Sequence, residues 1–103
     1  MSEKVFNYNF EWDPKKAKQN LKKHKIGFER AANVFLDSNA VTIYDTEHDE
    51  SEERWLTIGI DNNGNLIVVC HTFKQIDNDT FRIRLISARK PTKNEIAQYK
   101  ELK

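Results

Sequence analysis

The chain has 103 residues, of which 38% are hydrophobic and 11% aromatic, and this content supports one folded core and excludes wholesale disorder. Its single cysteine, Cys70, excludes an intramolecular disulfide bond. No segment has the apolar length of a membrane span or the apolar centre of a secretion signal. We therefore expect a single domain over residues 1–103, located in the cytoplasm and not bound to a membrane.

The charges are unevenly distributed, although the formal net charge is only +1. Six of the 16 acidic residues lie between Asp45 and Glu53, and this segment has no basic residue. The rest of the chain therefore has 17 basic and only 10 acidic residues. Lysines cluster between Lys15 and Lys25, and three arginines lie at positions 82, 84 and 89. A positive surface of this kind attracts nucleic-acid phosphates, but lysines are also common on solvated helix faces. Charge alone leaves both interpretations open.

The N-terminal part is predicted to form a strand followed by a helix. Phe6, Tyr8 and Phe10 alternate with polar residues, which is typical of a strand. We expect these aromatic side chains, with Trp12, to pack in the core rather than to stack on nucleic-acid bases. Asp13-Pro14 is typical of an N-cap and a first helical residue, and predicts a helix to about residue 25.

This first helix is predicted to be amphipathic, with a second helix following it. Its apolar stripe carries Ala17, Leu21 and His24, and the other side carries most of the lysines. Gly27 ends it. Residues at helical spacing then predict the second helix: Phe28, Ala31, Ala32 and Phe35.

The rest of the chain is predicted to be mainly β-structure. Residues 41–44 are strand-like, residues 54–61 and 65–73 flank the hairpin turn Asn62-Asn63-Gly64, and residues 80–88 form another strand. Thr92 to Glu95 has the pattern of a capping box that opens a last helix, with Ile96, Tyr99 and Leu102 on its buried side. The order of elements predicts an α+β domain: an antiparallel sheet packed with two N-terminal helices and one C-terminal helix.

The hairpin predicts which side chains share a face. A loop of two or four residues puts Arg54 and His71 at or near opposite positions on one face, whereas a three-residue loop would break this pairing. In the last strand, Arg82 and Arg84 point to the same face, where they repel each other unless an anion or a carboxylate such as Glu53 lies between them.

The titratable residues are compatible with RNA cleavage without a metal ion. That reaction needs a base for the 2′-hydroxyl group, cations around the phosphate and an acid for the leaving oxygen. Arginine suits the phosphate role because its planar guanidinium group binds in a bidentate way and stays charged. The sequence offers Glu53 and the histidines His24 and His71, although a buried histidine is more often structural. His48, Asp49 and Glu50 lack the spacing of a metal site, so no metal or cofactor is expected.

Two sequence blocks carry a family resemblance. The first runs from Phe10 to Ala17 (FEWDPKKA) and continues with Asn20, Lys23-His24 and residues 28–31; the second is Arg84 to Lys90 (RLISARK). Between and after them, the matching positions are Asp45, His48, Glu53-Arg54, Gly59, Glu95 and Tyr99. This pattern covers nearly the whole chain and resembles the BrnT family of type II toxins. Pro91 and a last helix with few arginines depart from the usual family pattern.

The resemblance implies a fold, an activity and partners. It implies a RelE-like ribonuclease that cleaves RNA, slows translation and is neutralised by a BrnA-type antitoxin, with DNA bound only indirectly through that antitoxin. Carried onto this sequence, it points to Lys23, His24, Glu53, Arg54, Arg84 and Arg89 as catalytic residues. The strand geometry adds His71 to the catalytic set and Arg82 to the RNA-binding surface, which also includes Lys15, Lys18, Lys22 and Lys90.

The predicted site has three roles to fill: binding of the phosphate, the general base and the general acid. For some of these roles the sequence leaves more than one candidate residue. Arg54, Arg84 and Arg89 are expected to hold the phosphate, and Glu53 or His71 to take the 2′-hydroxyl proton. His24, with Lys23 nearby, would protonate the leaving group or shape the site, and the products would carry a 2′,3′-cyclic phosphate. Two other classes of function remain: a module that binds nucleic acid without cutting it, and a protein that only binds other proteins.

Overall fold

The structure of the protein, a computed structural model, describes residues 7–46 and 52–102. The central part of the acidic segment, including His48, Asp49 and Glu50, lies outside the described residues. In chain order, the elements are β1 (Asn7–Glu11), α1 (Pro14–His24), α2 (Phe28–Ala32), a 3₁₀ helix (Asn33–Leu36), β2 (Val41–Tyr44), β3 (Trp55–Ile60), β4 (Leu66–His71), β5 (Lys74–Gln75), β6 (Thr80–Arg89) and α3 (Lys93–Leu102). The predicted α+β class is confirmed. None of the helices in the described ranges is long and apolar enough to cross a membrane.

The six described strands form one mixed sheet with the order β1-β6-β4-β3-β2, and β5 pairs with β6 beyond the end of β4. All neighbouring strands are antiparallel except β1 and β6, which run parallel with Asn7 opposite Thr80. The predicted antiparallel sheet is therefore found in all of these strand pairs except the one at this edge. The two strands come from opposite ends of the chain, so no hairpin constrains their relative direction.

One face of the sheet, called the first face here, is covered by α1, α2 and the 3₁₀ helix. Phe28 and Val34 pack there with Ile83 and Leu85 of β6. The buried residue of α1 is Asn20, whose Nδ2 donates to the Ile26 and Ala88 carbonyl oxygens and whose Oδ1 accepts from the Ala88 N–H. The lysine-rich helix is thereby fixed to the first face.

The prediction that Leu21 lies on the buried stripe of α1 is wrong, because its side chain is 52% exposed. The caps were predicted better. Asp13 accepts from the Lys15 N–H at 2.9 Å, and Thr92 and Glu95 form the expected reciprocal capping box of α3. Helix α1 ends with Lys25 in the left-handed region (φ 62°), two residues before Gly27, the residue predicted to end it.

The opposite face, called the second face, is only partly covered by α3. Tyr99 packs on Ile58 and Val68 and donates a hydrogen bond of 2.7 Å to Asp37 Oδ2. The remaining part of the second face carries Arg54, Cys70, Thr72, Ser87 and the arginines of β6.

A β-bulge in β6 determines which arginines share the second face. Cys70 lies opposite Ser87, but His71 lies opposite Leu85, so Ile86 is an extra residue. Arg84 and Arg89 are five positions apart and would point to opposite faces of a regular strand. The extra residue places both on the second face.

The hairpin between β3 and β4 differs from the prediction. The Asp61 N–H donates to the Asn65 carbonyl oxygen at 2.9 Å, which closes a three-residue loop whose Gly64 has a φ of 82°. His71 therefore lies opposite Trp55, not at or near Arg54. The predicted pairing of Arg54 with His71 is wrong, and the two residues belong to opposite faces.

Candidate active site

Two guanidinium groups from separate segments share one carboxylate on the second face. Glu52 Oε1 forms an ion pair with Arg84 Nη2 of β6, and Arg54 Nη2 lies 3.8 Å from the same oxygen. All three side chains remain partly exposed. The sequence predicted Glu53 or a bound phosphate between Arg82 and Arg84, whereas the structure pairs Arg84 with Glu52 and places Arg82 beside Glu11.

An open cavity of about 370 Å³, called the arginine cavity here, borders the contact of Glu52 with Arg84. The charged residues that line it are Glu11, Glu52, Glu53, Lys74, Arg82 and Arg84. Arg82 Nε lies 4.0 Å from Glu11 Oε2, and Lys74 of β5 is the register partner of Arg82. The cavity therefore contains cations that can bind an anion and carboxylates that can accept a proton.

A smaller cavity of about 130 Å³ adjoins Arg54 on the same face, and Arg89, Asp45, Cys70 and Ser87 line it. The Nε atom of Arg54 is buried and has no hydrogen-bond partner among the described residues. Burial, and then the charge of Asp45, raise the pKa of the Cys70 thiol to about 11, so the buried thiol is neutral near pH 7.

Arg89 is held by Glu95 of α3. Its Nη1 and Nη2 atoms donate to the two carboxylate oxygens at 2.7 and 2.9 Å. The hydrogen bonds from Arg89 lower the pKa of Glu95 to about 2, with a further contribution from the Thr92 N–H. Arg89 therefore lines the same small cavity as Arg54, but its guanidinium group is paired with Glu95.

His71 lies under the first face and is only 1% exposed. Its Nδ1 donates to the Thr72 carbonyl oxygen at 2.8 Å, since a carbonyl can only accept, and Nε2 is 2.7 Å from Thr57 Oγ1. Burial lowers the pKa of His71 to about 4, so the ring is neutral near pH 7. His71 is thus not part of the arginine cavity, contrary to the expectation from the hairpin.

Lys23 and His24 lie at the C-terminal end of α1, on the other side of the sheet from Arg84. His24 lines a groove with Lys90 and Ile96, near the start of β4, whereas the arginine cavity lies beyond the end of β4. The structure therefore does not bring Lys23, His24 or Lys90 to the contact of Arg54 and Arg84 with Glu52. The lysines of α1 that were predicted to bind RNA are exposed, and they too belong to the helix on the first face: Lys15, Lys18 and Lys22.

The sequence interpretation missed Glu52 and Lys74 as residues of the cavity. Glu52 belongs to the acidic segment, but only the fold shows which of its carboxylates turns toward Arg84. Lys74 lies in a two-residue strand that has no periodic signal of its own.

A third cavity, of about 540 Å³, lies on the first face and was also missed; it is called the aromatic cavity here. Four aromatic side chains line it, from Tyr8, Phe35, Trp55 and Phe73, with His71 at its wall. Phe73 lines both this cavity and the arginine cavity.

Comparison with known proteins gives the family. A structural match is the 1.1 Å crystal structure of the Brucella abortus ribonuclease toxin BrnT, with a TM-score of 0.53 and 23% identity over 89% of this chain and 100% of that chain. At this identity the likeness supports the fold, and the RelE-like label stays a prediction. No curated protein matches the chain. The family model described as "Ribonuclease toxin, BrnT, of type II toxin-antitoxin system" matches residues 12–95, and the chain therefore belongs to this family of ribonuclease toxins.

Proposed function

We propose that this toxin cleaves RNA at the arginine cavity without a metal ion and leaves a 2′,3′-cyclic phosphate. Membership of the family implies an RNA substrate and an antitoxin partner. The proposal adds the place of the reaction, the groups that carry it and the chemical form of the product.

The observation that carries the proposal is the position of Glu52 between Arg54 and Arg84. A carboxylate that is shared by two guanidinium groups on an open surface occupies a place that suits a phosphate, because both anions accept paired N–H donors. RNA would displace the Glu52 side chain and bring its scissile phosphate between the two arginines. Arg82 adds positive charge at the same cavity.

Proton transfer is assigned to residues of the same cavity. Glu53 accepts the proton of the 2′-hydroxyl group as its oxygen forms a bond to phosphorus. The bond between phosphorus and the 5′-oxygen breaks, and the Lys74 ammonium group protonates that oxygen. Both side chains are exposed and line the arginine cavity. This assignment replaces His71 and His24, which lie elsewhere in the fold.

The metal-independent scheme is supported by the charge of the cavity. Arg54, Arg82, Arg84 and Lys74 can neutralise the phosphorane oxygens as negative charge builds up on them. We expect cleavage to be unchanged by EDTA. Loss of cleavage in EDTA that zinc or magnesium restores would contradict the scheme.

The direct test is a cleavage assay on messenger RNA with Arg84→Ala and Lys100→Ala. Arg84→Ala is expected to lower the cleavage rate by about two orders of magnitude, because it removes a group that stabilises the transition state. Lys100→Ala changes an exposed residue of α3 and is expected to behave like the wild type. Wild-type cleavage by a folded Arg84→Ala protein would remove Arg84 from the site, and RNA that is bound but left intact by the wild type would indicate a binding module.

We also propose that the antitoxin is of the BrnA type and that the toxin reaches DNA only through it. The support is family membership, since toxins of type II systems are inhibited by a protein partner. Expression of the toxin is expected to arrest growth, and co-expression of a BrnA-type protein is expected to relieve the arrest. Continued arrest despite a stable complex of the two proteins would contradict this assignment.

A further inference from the structure

We infer that the aromatic cavity binds a base of the single-stranded RNA substrate, next to the phosphate held at the arginine cavity. This inference rests on the proposed function and extends it from the phosphate to the neighbouring nucleotide. The aromatic cavity has no role in the chemical steps described above.

Two aromatic rings that line the aromatic cavity are exposed. Tyr8 and Phe73 are 41% and 44% exposed, whereas Phe28 in the core is 1% exposed. Tyr8 was expected to pack in the core, but a large part of its surface is exposed. Exposed aromatic rings around a concave surface are the usual means by which proteins bind unpaired bases, because every base has a face that stacks.

Two of the rings that line the aromatic cavity are held in place by neighbouring aromatic side chains. Phe73 stacks on Phe81 with ring centroids 4.8 Å apart and an angle of 24° between the planes. Trp55 makes an edge contact with Tyr44 at 5.1 Å. A base that enters the cavity would therefore meet rings whose orientation is already fixed, which lowers the entropy cost of binding.

The aromatic cavity is also continuous with the phosphate site. Arg54 and its neighbour Trp55 line cavities on opposite faces, and Thr72 lines the arginine cavity, whereas Phe73 borders both the arginine and the aromatic cavity. Strands β3 and β4 end at this level, while β6 continues and pairs with β5. An RNA strand can thus place a phosphate between Arg54 and Arg84 and turn the adjacent base around the ends of β3 and β4.

Several polar groups of the aromatic cavity already have hydrogen-bond partners, which favours stacking over base-specific hydrogen bonds. Thr42 Oγ1 lies 2.8 Å from Thr57 Oγ1, which in turn lies 2.7 Å from His71 Nε2. Asp37 also lines the cavity, and both of its carboxylate oxygens accept hydrogen bonds from the protein. We therefore expect the subsite to accept any of the four bases, with differences set by stacking strength.

The test uses the fluorescence of Trp55 and two probes, poly(U) and inorganic polyphosphate. Poly(U) is expected to quench Trp55 because a base stacks in the cavity, whereas polyphosphate, which has no bases, is expected to bind the arginines without quenching. The Trp55→Phe variant assigns the signal, since the other tryptophan, Trp12, packs on Phe28. Equal quenching by both probes, or none by poly(U), would contradict the inference.

Variants measure the contribution of the rings to affinity. Phe73→Leu and Tyr8→Leu are each expected to weaken poly(U) binding about tenfold, which matches the usual loss of one stacking partner. Tyr8→Leu is also expected to leave polyphosphate binding unchanged, because Tyr8 lines only the aromatic cavity. Ile76→Ala is the matched control, because Ile76 is equally exposed and apolar but lines neither cavity. Unchanged melting temperatures confirm that the variants are folded.

The outcomes separate this inference from the proposed function. If Phe73→Leu and Tyr8→Leu leave poly(U) binding intact while Arg84→Ala still abolishes cleavage, the base subsite is wrong and the phosphate site stands. If they weaken antitoxin binding and not RNA binding, the cavity is a protein-docking site and the inference is overturned. If stacking is confirmed but RNA stays intact, the proposed cleavage fails and the base subsite stands.

Discussion

Arg89 and Glu95 join the end of β6 to the start of α3 through two parallel hydrogen bonds of 2.7 and 2.9 Å. Glu95 also closes the capping box of α3 with Thr92. One carboxylate thus caps the helix and fixes its position on the second face. Helix α3 covers one part of the second face and leaves the part with the arginine cavity open. The ion pair therefore fixes the border of the site, but neither of its residues lines the arginine cavity.

Replacement of Glu95 is expected to destabilise the protein in a pH-dependent way. The folded pKa of Glu95 is about 2, below its ordinary value of 4.5, so its contribution is complete above pH 4.5 and is lost as the pH falls toward 2. Glu95→Gln should lower the free energy of unfolding at pH 7 by about 1–3 kcal/mol, the range for charged hydrogen bonds. Urea unfolding at several pH values measures this, and Glu101→Gln, further along α3, is the control. Equal stability of the two variants at pH 7 would contradict the prediction.

His71 is expected to make stability fall at mildly acidic pH. Burial lowers its pKa to about 4 from an ordinary 6.5, so the unfolded chain binds a proton first as the pH drops between these values. The free energy of unfolding should therefore decrease by about 2 kcal/mol from pH 7 to pH 5. His71→Gln should flatten this dependence, whereas His24→Gln should keep it. If the free energy of unfolding of His71→Gln depends on pH as strongly as that of the wild type, another group causes the effect.

The local features of this fold were predictable because they depend on neighbouring residues. The cap at Asp13, the capping box at Thr92 and the common face of Arg82 and Arg84 follow from short-range geometry. The faces of β3 and β4 were not predictable, because a three-residue loop at Gly64 reverses every side chain of one strand relative to the other, compared with a loop of two or four residues. That ambiguity moved His71 from the expected site into the core.

The set of residues that forms the site depends on tertiary contacts, and no local sequence pattern predicts those contacts. The bulge at Ile86 brings Arg89 to the face of Arg84, and only the pairing of β4 with β6 creates it. The family resemblance pointed to Arg54 and Arg84, which the fold does bring together at Glu52. It also pointed to His24, which the packing of α1 places at the other end of the sheet.

Gly59 is expected to tolerate no side chain. A Cβ atom at this position would lie 2.7 Å from Val34 Cγ1 and 3.2 Å from the Val34 carbonyl oxygen, so the 3₁₀ helix would have to move away from β3. Gly59→Ala should destabilise the protein by about 1–3 kcal/mol, the usual cost of overpacking a core. Thermal unfolding measures this. Gly27→Ala is the control, because its Cβ would meet only the end of the Glu29 side chain, at 3.4 Å. An unchanged melting temperature in Gly59→Ala would show that the 3₁₀ helix can shift freely.

Removal of the Glu52 charge is expected to strengthen RNA binding. Glu52 occupies the space between Arg54 and Arg84 that the proposed function gives to a phosphate, so RNA has to break that ion pair first. An exposed ion pair contributes up to about 1 kcal/mol, and Glu52→Gln should therefore raise affinity up to about fivefold at low salt. The gain should shrink as salt screens the competing charges.

The matched control for this measurement is Glu29→Gln, which removes an equal charge from exposed α2 on the first face. Fluorescence anisotropy with a short RNA, in a background that carries Glu53→Gln to suppress cleavage, gives both affinities. If Glu29→Gln raises the affinity as much as Glu52→Gln does, the effect is one of net charge only. Glu52 would then not compete with the phosphate, and the location of the anion site between Arg54 and Arg84 would lose its main support.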